Sequence, residues 1–575
     1  MIHARNKTEE AADARVIAHH LFPNSLPYTG LMGAQATTRD GRGERGTLSA
    51  VLRRCQLHPG ESWVVLDTTA GGMWQEDIGR LLGPARATHL PSGQLLQLPS
   101  TVKLVYEVET LAHVTPDVLG RTAIVYVGGT TGGSTVQWQD AVACWWSDSF
   151  QELPRISRAN ARSTQAALMR LIPPTLEHLR AWDEGDSGAR EHALVSSFHR
   201  LLGAVLAPEL GVTGSRNPDV ESTARLLQLA SAFAYVWSFG SCCRGDSRRA
   251  AFDAFARPLL SEVFPSLPLP VEGSLFDSRI SFEGLCFTSW HDAFEREGAV
   301  AHTAVTHRLQ RQHMFTPSYF FHTRQSYAVA QVLGIAQAAD LHALVTGPSG
   351  VGKSAFMNAV CGGPRGRGVR RVALGVHGTC GDVIQALQQL DVSTNDMATW
   401  AGSTFAEGSL WSPRVRSLFL DDLSRPLPSA TGPSALETVR AILLDRGLPA
   451  SASCEARSLM DHVRVVAAAT DAGRGDHPLP SRLQRLLLTL RLEEPDEEGL
   501  LCIFRPMYEK PCRQTRSYSS SHTVCVYICV CVCRPLQRQT IISMLLLPWR
   551  FFGGLPRLLL SPTFSSKVQC IANVY

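Results

Sequence analysis

Leu341–Val360 reads LHALVTGPSGVGKSAFMNAV, and its reading decides what the rest of the chain can be. An apolar run, Ala343–Val345, feeds the octet Gly347–Ser354, and a helix-compatible segment follows. This is the spacing GxxxxGK[ST] in its proper setting of strand, glycine-rich turn and helix. Gly347, Gly350 and Gly352 let the loop curl, so that the backbone N–H groups around Pro348, those of Gly347, Ser349, Gly350, Val351 and Gly352, converge on phosphate oxygens. Lys353 is placed to reach the terminal phosphates, and the hydroxyl of Ser354 to ligate Mg²⁺. The bland alternative is a chance match in a glycine-containing turn. The flanking strand and helix favour a nucleotide site.

The 575 residues are too many for one core and predict about three to five domains. With 44% hydrophobic and 18% charged residues, the composition is that of a soluble globular protein. A net charge of +4 is too small to make nucleic acid or an anionic membrane the main partner. The fifteen cysteines are scattered, and the N-terminus MIHARNKTEEAADARV has no apolar signal core, so reduced cytosolic thiols are expected. Neither Cys242–Cys243 nor the string Cys525, Cys529, Cys531, Cys533 has the paired spacing of a zinc site. The nineteen histidines form no ligand pattern.

Downstream of the octet the chain passes a basic loop, Arg365–Arg371, then an expected strand Val372–Val376, a helix Gly381–Leu390 and a loop Trp400–Arg416. The basic run is either a phosphate contact or a solvated loop. SLFLDD, Ser417–Asp422, is a buried strand ending in two acids, with Asp421 lying 68 positions after Lys353 (421 minus 353). Asp421 is placed to hold Mg²⁺ opposite Ser354, and Asp422 occupies the position where AAA+ ATPases, which this pattern resembles, usually carry the Glu that orients the attacking water. A solvated strand end is the alternative for such a pair. A further strand, His462–Ala469, ends at Thr470–Asp471.

Upstream, the first 60 residues give a polar turn, Arg39–Gly46, and a possible helix, Leu48–Leu57. Trp63–Asp67, WVVLD, is a buried strand ending in an acid; Val102–Val108 and Thr122–Val127 are two more expected strands. Helical patterns cover about Asn160–Leu206, broken at Pro173–Pro174, then Ser222–Ser238 and Ser247–Phe264, before a proline-rich break at Pro265–Pro270.

These segments resemble, in collinear order over roughly residues 20–506, the motor region of dynein heavy chains. WVVLDTTAGGMWQEDIGRLL and the run from Leu90 to Val127 look like the second AAA+ module of that family. FAYVWSFGSCCRGDSRRAAFDAF and GSLFDSRISFEG are similar to its helical part and linker, and MFTPSYFFHTRQSYAVAQVL resembles the helix that opens its third module. FLDDLSRP is similar to the axonemal type's F-I-D-D-L-N-M-P, with Ser424 in place of Asn. In the earlier module Asp67 and Glu76 match the family, but Gly71, Asp77 and Gly79 depart from it, and GRTA replaces an S-R-C-G turn.

The resemblance implies an α/β fold of AAA+ P-loop NTPase modules with parallel sheets plus a helical subdomain. It divides the chain into 1–155 (later part of a degenerate second-module large subdomain), 156–300 (helical subdomain and linker), 301–506 (third-module large subdomain) and 507–575. It also implies ATP and Mg²⁺ as cofactors, Thr470 as a sensor of the terminal phosphate, and Arg121 and Arg482 as arginines directed toward a neighbouring module's nucleotide. Either arginine, taken alone, is equally a salt-bridged surface residue. Other dynein chains are the implied partners, with microtubules engaged through parts outside this chain, in a cytoskeletal or axonemal setting. On this reading the phosphate loop of the earlier module lies before Met1 and the chain is a fragment, weakly active or inactive by itself. A remodelling ATPase of another AAA+ branch, and a non-catalytic nucleotide-binding or interaction module or the product of a decayed gene, are the competing classes.

After Phe504 the pattern changes. The alternation C-V-x-x-C-V-C-V-C is what a translated dinucleotide repeat yields, so residues from about 507 onward are expected to be aberrant and unable to fold. They do not make a membrane span. Val524–Val532 is nine residues, and Met544–Leu560 contains Arg550, Arg557 and two prolines, against a need of about 20 apolar residues.

Overall fold

The computed structural model describes residues 16–34, 46–58, 60–68, 71–125, parts of 138–146, 156–182, 187–210, 219–295, 320–361, 369–392, 416–427, 434–445, 463–471 and 477–503. The expected aberrant tail, residues 39–45 of the polar turn, the MFTPSY run at 314–319 and most of the Trp400–Arg416 loop lie outside these residues. Contacts divide the chain into residues 1–495 and 496–575.

The first lobe is built on a parallel sheet of β1 (Ile17–Leu21), β2 (Ser62–Asp67) and β5 (Val102–Glu107), with β2 in the middle. Helices α1 (Tyr28–Met32), α2 (Thr47–Leu57) and α3 (Trp74–Leu82) pack beside it. Leu48, Leu52, Val64, Leu66, Trp74, Ile78 and Leu81 form its core. A small hairpin, β3 (Ala87–His89) with β4 (Leu95–Gln97), and a short α4 (Pro116–Leu119) complete it. The strand expected at Thr122–Val127 does not form over Thr122–Val125; Ile124 and Val125 are exposed there, without a strand partner among the described residues, and Tyr126 and Val127 lie outside them. β1 escaped the sequence reading because IAHHL carries two histidines and only Leu21 is buried.

The helical lobe holds α5 (Arg158–Arg180), α6 (Ser187–Leu210), α7 (Val220–Phe239) and α8 (Gly245–Val263). α5 runs straight through Pro173–Pro174 rather than breaking there. Two N–H donors are lost at the prolines, but Leu168, Leu171, Ile172 and Leu176 are buried on both sides of them, and that packing outweighs the local preference. α7 is apolar nearly all round and is buried from Leu229 to Phe239, as a central helix must be. Beyond the Pro265–Pro270 break, β6 (Ser278–Ser281) and β7 (Cys286–Ser289) form an antiparallel hairpin, followed by α9 (Trp290–Ala293).

α10 (Arg324–Ala338) opens the last lobe, its first turn closed by a Thr323–Ser326 capping box. Then come β8 (Ala343–Gly347), α11 (Lys353–Cys361), β9 (Val369–Ala373), α12 (Cys380–Val392), β10 (Arg416–Asp421), α13 (Ala435–Asp445), β11 (Val463–Thr470), α14 (Ser481–Gln484) and β12 (Leu488–Arg491). The five strands form one parallel sheet in the order β12-β8-β11-β10-β9. β9 begins at Val369, not Val372, so Arg370 and Arg371 belong to a strand rather than to a basic loop. An edge strand tolerates such charges, since one of its sides faces solvent.

Both faces of this sheet are buried, which explains the near-continuous apolar runs of β8, β10 and β11. Leu344, Leu418, Leu420, Val465 and Ala467 pack on α12 and α13. Ala343, Val345, Phe419, Val466 and Leu490 join the core of the helical lobe. Among the described residues no helix is long and apolar enough to cross a membrane. The fold is α/β of the AAA+ type, as the sequence led us to expect.

Candidate functional site

The strand order decides where the octet and the double aspartate meet. β11 lies between β8 and β10, with Thr470 paired to Gly347 and Ala467 to Leu420. The C-terminal ends of three parallel strands therefore carry Gly347, Asp421 and Thr470 to one edge, where ligands of open α/β sheets bind.

Gly347 leaves β8 at φ 152°, and a Cβ there would stand 2.1 Å from the carbonyl oxygen of Leu492. Gly350 and Gly352, at φ 86° and 91°, bend the loop in the left-handed region, with open space where side chains would be. Pro348, Ser349 and Val351 fill the intervening positions. α11 then begins at Lys353, anchored by buried Phe356, Met357 and Cys361 at helical spacing. The Lys353 ammonium is buried and donates to the carbonyls of Gly347 (2.9 Å) and Pro348 (2.7 Å).

Ser354 Oγ donates to Asp421 Oδ1 at 2.9 Å. The other carboxylate oxygen, Oδ2, accepts from Arg371 Nη2 at 2.5 Å, and the same guanidinium lies over the Phe419 ring. Asp421 is 2% exposed, so this partnership satisfies an otherwise costly buried charge. Asp422 follows in the left-handed region (φ 57°), its N–H donating to Asp421 Oδ1 at 3.2 Å. Thr470 Oγ1 is hydrogen-bonded to Ser424 Oγ (2.9 Å), and Thr470 N–H donates to the same oxygen (3.2 Å). A hydroxyl and a carboxylate side by side, an ammonium at the loop, and a nest of positive-φ glycines suit a phosphate chain carrying a hard divalent cation. Ser354 and Asp421 would hold the cation, and Lys353 the phosphates.

The two arginines differ. Arg121 stays within its lobe, donating to Gly79 O (2.7 Å) and pairing with Asp117 (2.7 Å). Arg482 crosses to the first lobe, donating to Thr68 O (2.9 Å) and pairing with Asp67. There it joins Arg440, which is fully buried, bonds Asp67 at 2.6 Å and Glu437 at 2.7 Å, and which no motif announced. Desolvation opposes the Arg440 charge, yet its bonds to Asp67 and Glu437 hold the guanidinium's affinity for its proton above the ordinary value.

Also missed was Arg491. It grips both oxygens of Asp471 (2.7 and 2.6 Å) and bonds Glu493 at 2.5 Å. Burial pushes the Asp471 carboxyl up, but the Arg491 hydrogen bonds, with the charges of Arg491, Arg244 and Lys353, hold it below the usual range. Spacing alone cannot find such pairs, because Arg491 ends β12 while Asp471 follows the end of β11.

Residues 164–292 match the family described as the dynein heavy chain AAA lid domain. Over 519 residues, 88% of this chain, it is 22% identical to human dynein axonemal heavy chain 9 and covers 10% of that protein. Over 321 residues, 53% of the chain, it is 26% identical to mouse dynein axonemal heavy chain 17, covering 7% of it. Residues 164–292 thus match a dynein heavy chain lid domain, and over most of its length the chain is similar to axonemal dynein heavy chains. A ciliary dynein beta chain of Tripneustes gratilla is 23% identical over 362 residues, 61% of the chain and 7% of that protein. The chain thus spans a tenth or less of the length of these relatives, and the lid match falls on α5 to α8, the hairpin and the start of α9.

Proposed function

We propose that the chain binds ATP with Mg²⁺ at the Lys353 loop and contributes that site to the ring of a dynein heavy chain motor. The observation that carries this reading is the 2.9 Å contact between Ser354 and Asp421, formed across an intervening strand whose tip, Thr470, is paired with Gly347. The amides of residues 347–354 would cradle the phosphates, with Lys353 moving from its loop carbonyls to the terminal phosphates. Magnesium held by Ser354 and Asp421 would neutralise phosphate oxygens during transfer. Thr470, braced by Ser424, would sense the terminal phosphate.

Asp422 is the residue placed to orient an attacking water, and its reach is short. Aspartate carries its carboxylate one methylene nearer the backbone than glutamate does, and misplacement by about 1 Å costs around a hundredfold in rate. Slow turnover, or ATP held as a regulatory ligand, follows from that. Arg482 supports the view of a ring in which one module's arginine faces the previous module's site, since it already reaches Asp67. On this reading residues 1–155 belong to a second module, 156–300 to its helical subdomain and linker, and 301–506 to the third module's large subdomain. Microtubule-based movement in a cytoskeletal, axonemal setting would then be the work of the whole motor, with other dynein chains as partners.

Isothermal titration of Mg-ATP into the full chain tests the reading. Binding by the native chain, weakened about 100-fold or more in Lys353→Ala, is expected, since that change removes the charge facing the phosphates. Equal binding by both would overturn it.

A further inference from the structure

The Lys353 loop is joined to the helical lobe by a chain of charges whose inner members, Arg491 and Glu493, are buried. Gly347 O accepts from Lys353 Nζ (2.9 Å) and also from the backbone N–H of Asp471 (3.3 Å), so two residues share one carbonyl of the loop. The Asp471 carboxylate is held by Arg491 in a two-pronged pair, and Arg491 Nε donates to Glu493 Oε1 at 2.5 Å. The same oxygen of Glu493 accepts the N–H of Gly245 at 2.9 Å, at the first residue of α8. Arg249, one turn on, donates to Arg491 O at 3.3 Å, and Arg244 Nε stands 4.0 Å from Asp471. The side chains of Arg491 and Glu493 are 4% and 6% exposed.

Buried charges of this kind rarely raise net stability over an apolar core of the same shape; what they supply is fixed geometry and direction. The bidentate Arg491 pair sets the angle of Asp471, and Glu493 passes that placement to one amide of α8. We propose that Asp471, Arg491 and Glu493 form a positioning relay through which phosphate bound at the Lys353 loop is transmitted to the first turn of α8. The proposal rests on the nucleotide reading above. Phosphate that draws Lys353 away from Gly347 O leaves that carbonyl to Asp471 alone, which shifts the near end of the relay. α8 lies in the segment matched to the dynein lid, so the lid helices respond to the neighbouring phosphate loop without touching nucleotide.

Hydrogen exchange of the full chain, with and without ADP, reads the relay at the amides of Gly245–Arg249, and titration of the same samples gives ADP affinity. The native chain is expected to show exchange there slowed about fivefold or more by ADP, a typical size for coupling between sites. Glu493→Ala should keep its ADP affinity within about threefold and lose that response. Glu493→Gln still offers an oxygen to Gly245 N–H and should keep part of it. Should Glu493→Ala fail to fold, Arg491→Lys serves instead, since a point charge cannot hold both oxygens of Asp471 and the response should shrink. ADP bound to the native chain with no change at α8, or a full response in Glu493→Ala, overturns the relay. No ADP binding by the native chain defeats the nucleotide reading itself, and the relay falls with it.

Discussion

Asp421 shows how one carboxylate can be claimed from two sides. Ser354 takes one oxygen and Arg371 the other, and Arg371 is about half exposed, so its grip is that of a surface pair, about 0.2–1 kcal/mol. Arg371→Ala should therefore raise the apparent Mg²⁺ affinity of the ATP complex about two- to fivefold, read from ATP titrations at stepped Mg²⁺. An unchanged Mg²⁺ profile would show that Arg371 is irrelevant there. Asp422 invites a second test. Its φ of 57° lies where Asp is better tolerated than Glu, which gives a structural reason for the shorter acid. Asp422→Glu should speed single-turnover hydrolysis about tenfold, at a stability cost of up to about 1 kcal/mol, and slower hydrolysis would contradict its role. Lys353, Ser354 and Asp421 were legible from spacing because the first two follow the loop that leaves β8 and Asp421 ends β10. Arg371 was not, because a run of arginines and glycines looks like a loop until the β10 register draws Val369–Ala373 into the sheet.

Elements fail or hold according to what lies opposite them. β8 ends at Gly347, where an added methyl would meet Leu492 O, whereas nothing lies within 4 Å of the Gly350 position. Gly347→Ala is accordingly expected to lower unfolding stability by about 2 kcal/mol or more in urea, and Gly350→Ala by about 1 kcal/mol from backbone strain alone. Equal losses would mean the Leu492 contact is not limiting. In α6, burial holds the His199 imidazole down at about 3, stacked on Trp145. The folded chain keeps this ring neutral, while the unfolded chain protonates it below about 6.5, so its contribution to stability is intact above about 6.5 and declines as pH falls toward about 3. Between pH 6.5 and 4.5 the native chain should lose about 2–3 kcal/mol more than His199→Phe, measured from urea midpoints. Helix periodicity exposed α7 and α8 in the sequence, but no local rule foresaw that α5 would continue through two prolines, because the packing that overrides them comes from other helices.

At the scale of the whole molecule, the first lobe's acid has become a fastening. Asp67, positioned like a cation-holding carboxylate, is bound instead by Arg440 and Arg482 from the last lobe, with Ser434 N–H and Thr438 Oγ1 adding bonds to Asn24 O and Ser25 O. Arg440→Met would leave Glu437 buried without its guanidinium, and a loss of about 3–5 kcal/mol is expected, in the range seen when one partner of a buried pair is removed. A loss under about 1 kcal/mol would mean that the two lobes do not depend on this contact. The sequence announced the two α/β lobes and their order, since β2 and β10 end in their acids and β8 in its glycine loop. It could not announce that they meet through Arg440, a residue inside a plain amphipathic helix.

The claim on which the account turns is that the Lys353 loop and Asp421 jointly hold a triphosphate. A structure of the full chain with a non-hydrolysable ATP analogue and Mg²⁺ measures this directly. Phosphate oxygens within hydrogen-bond distance of the amides of residues 350–354, with Mg²⁺ against Ser354 and Asp421, is the predicted result. An analogue bound elsewhere, with Lys353 still on the carbonyls of Gly347 and Pro348, would contradict it.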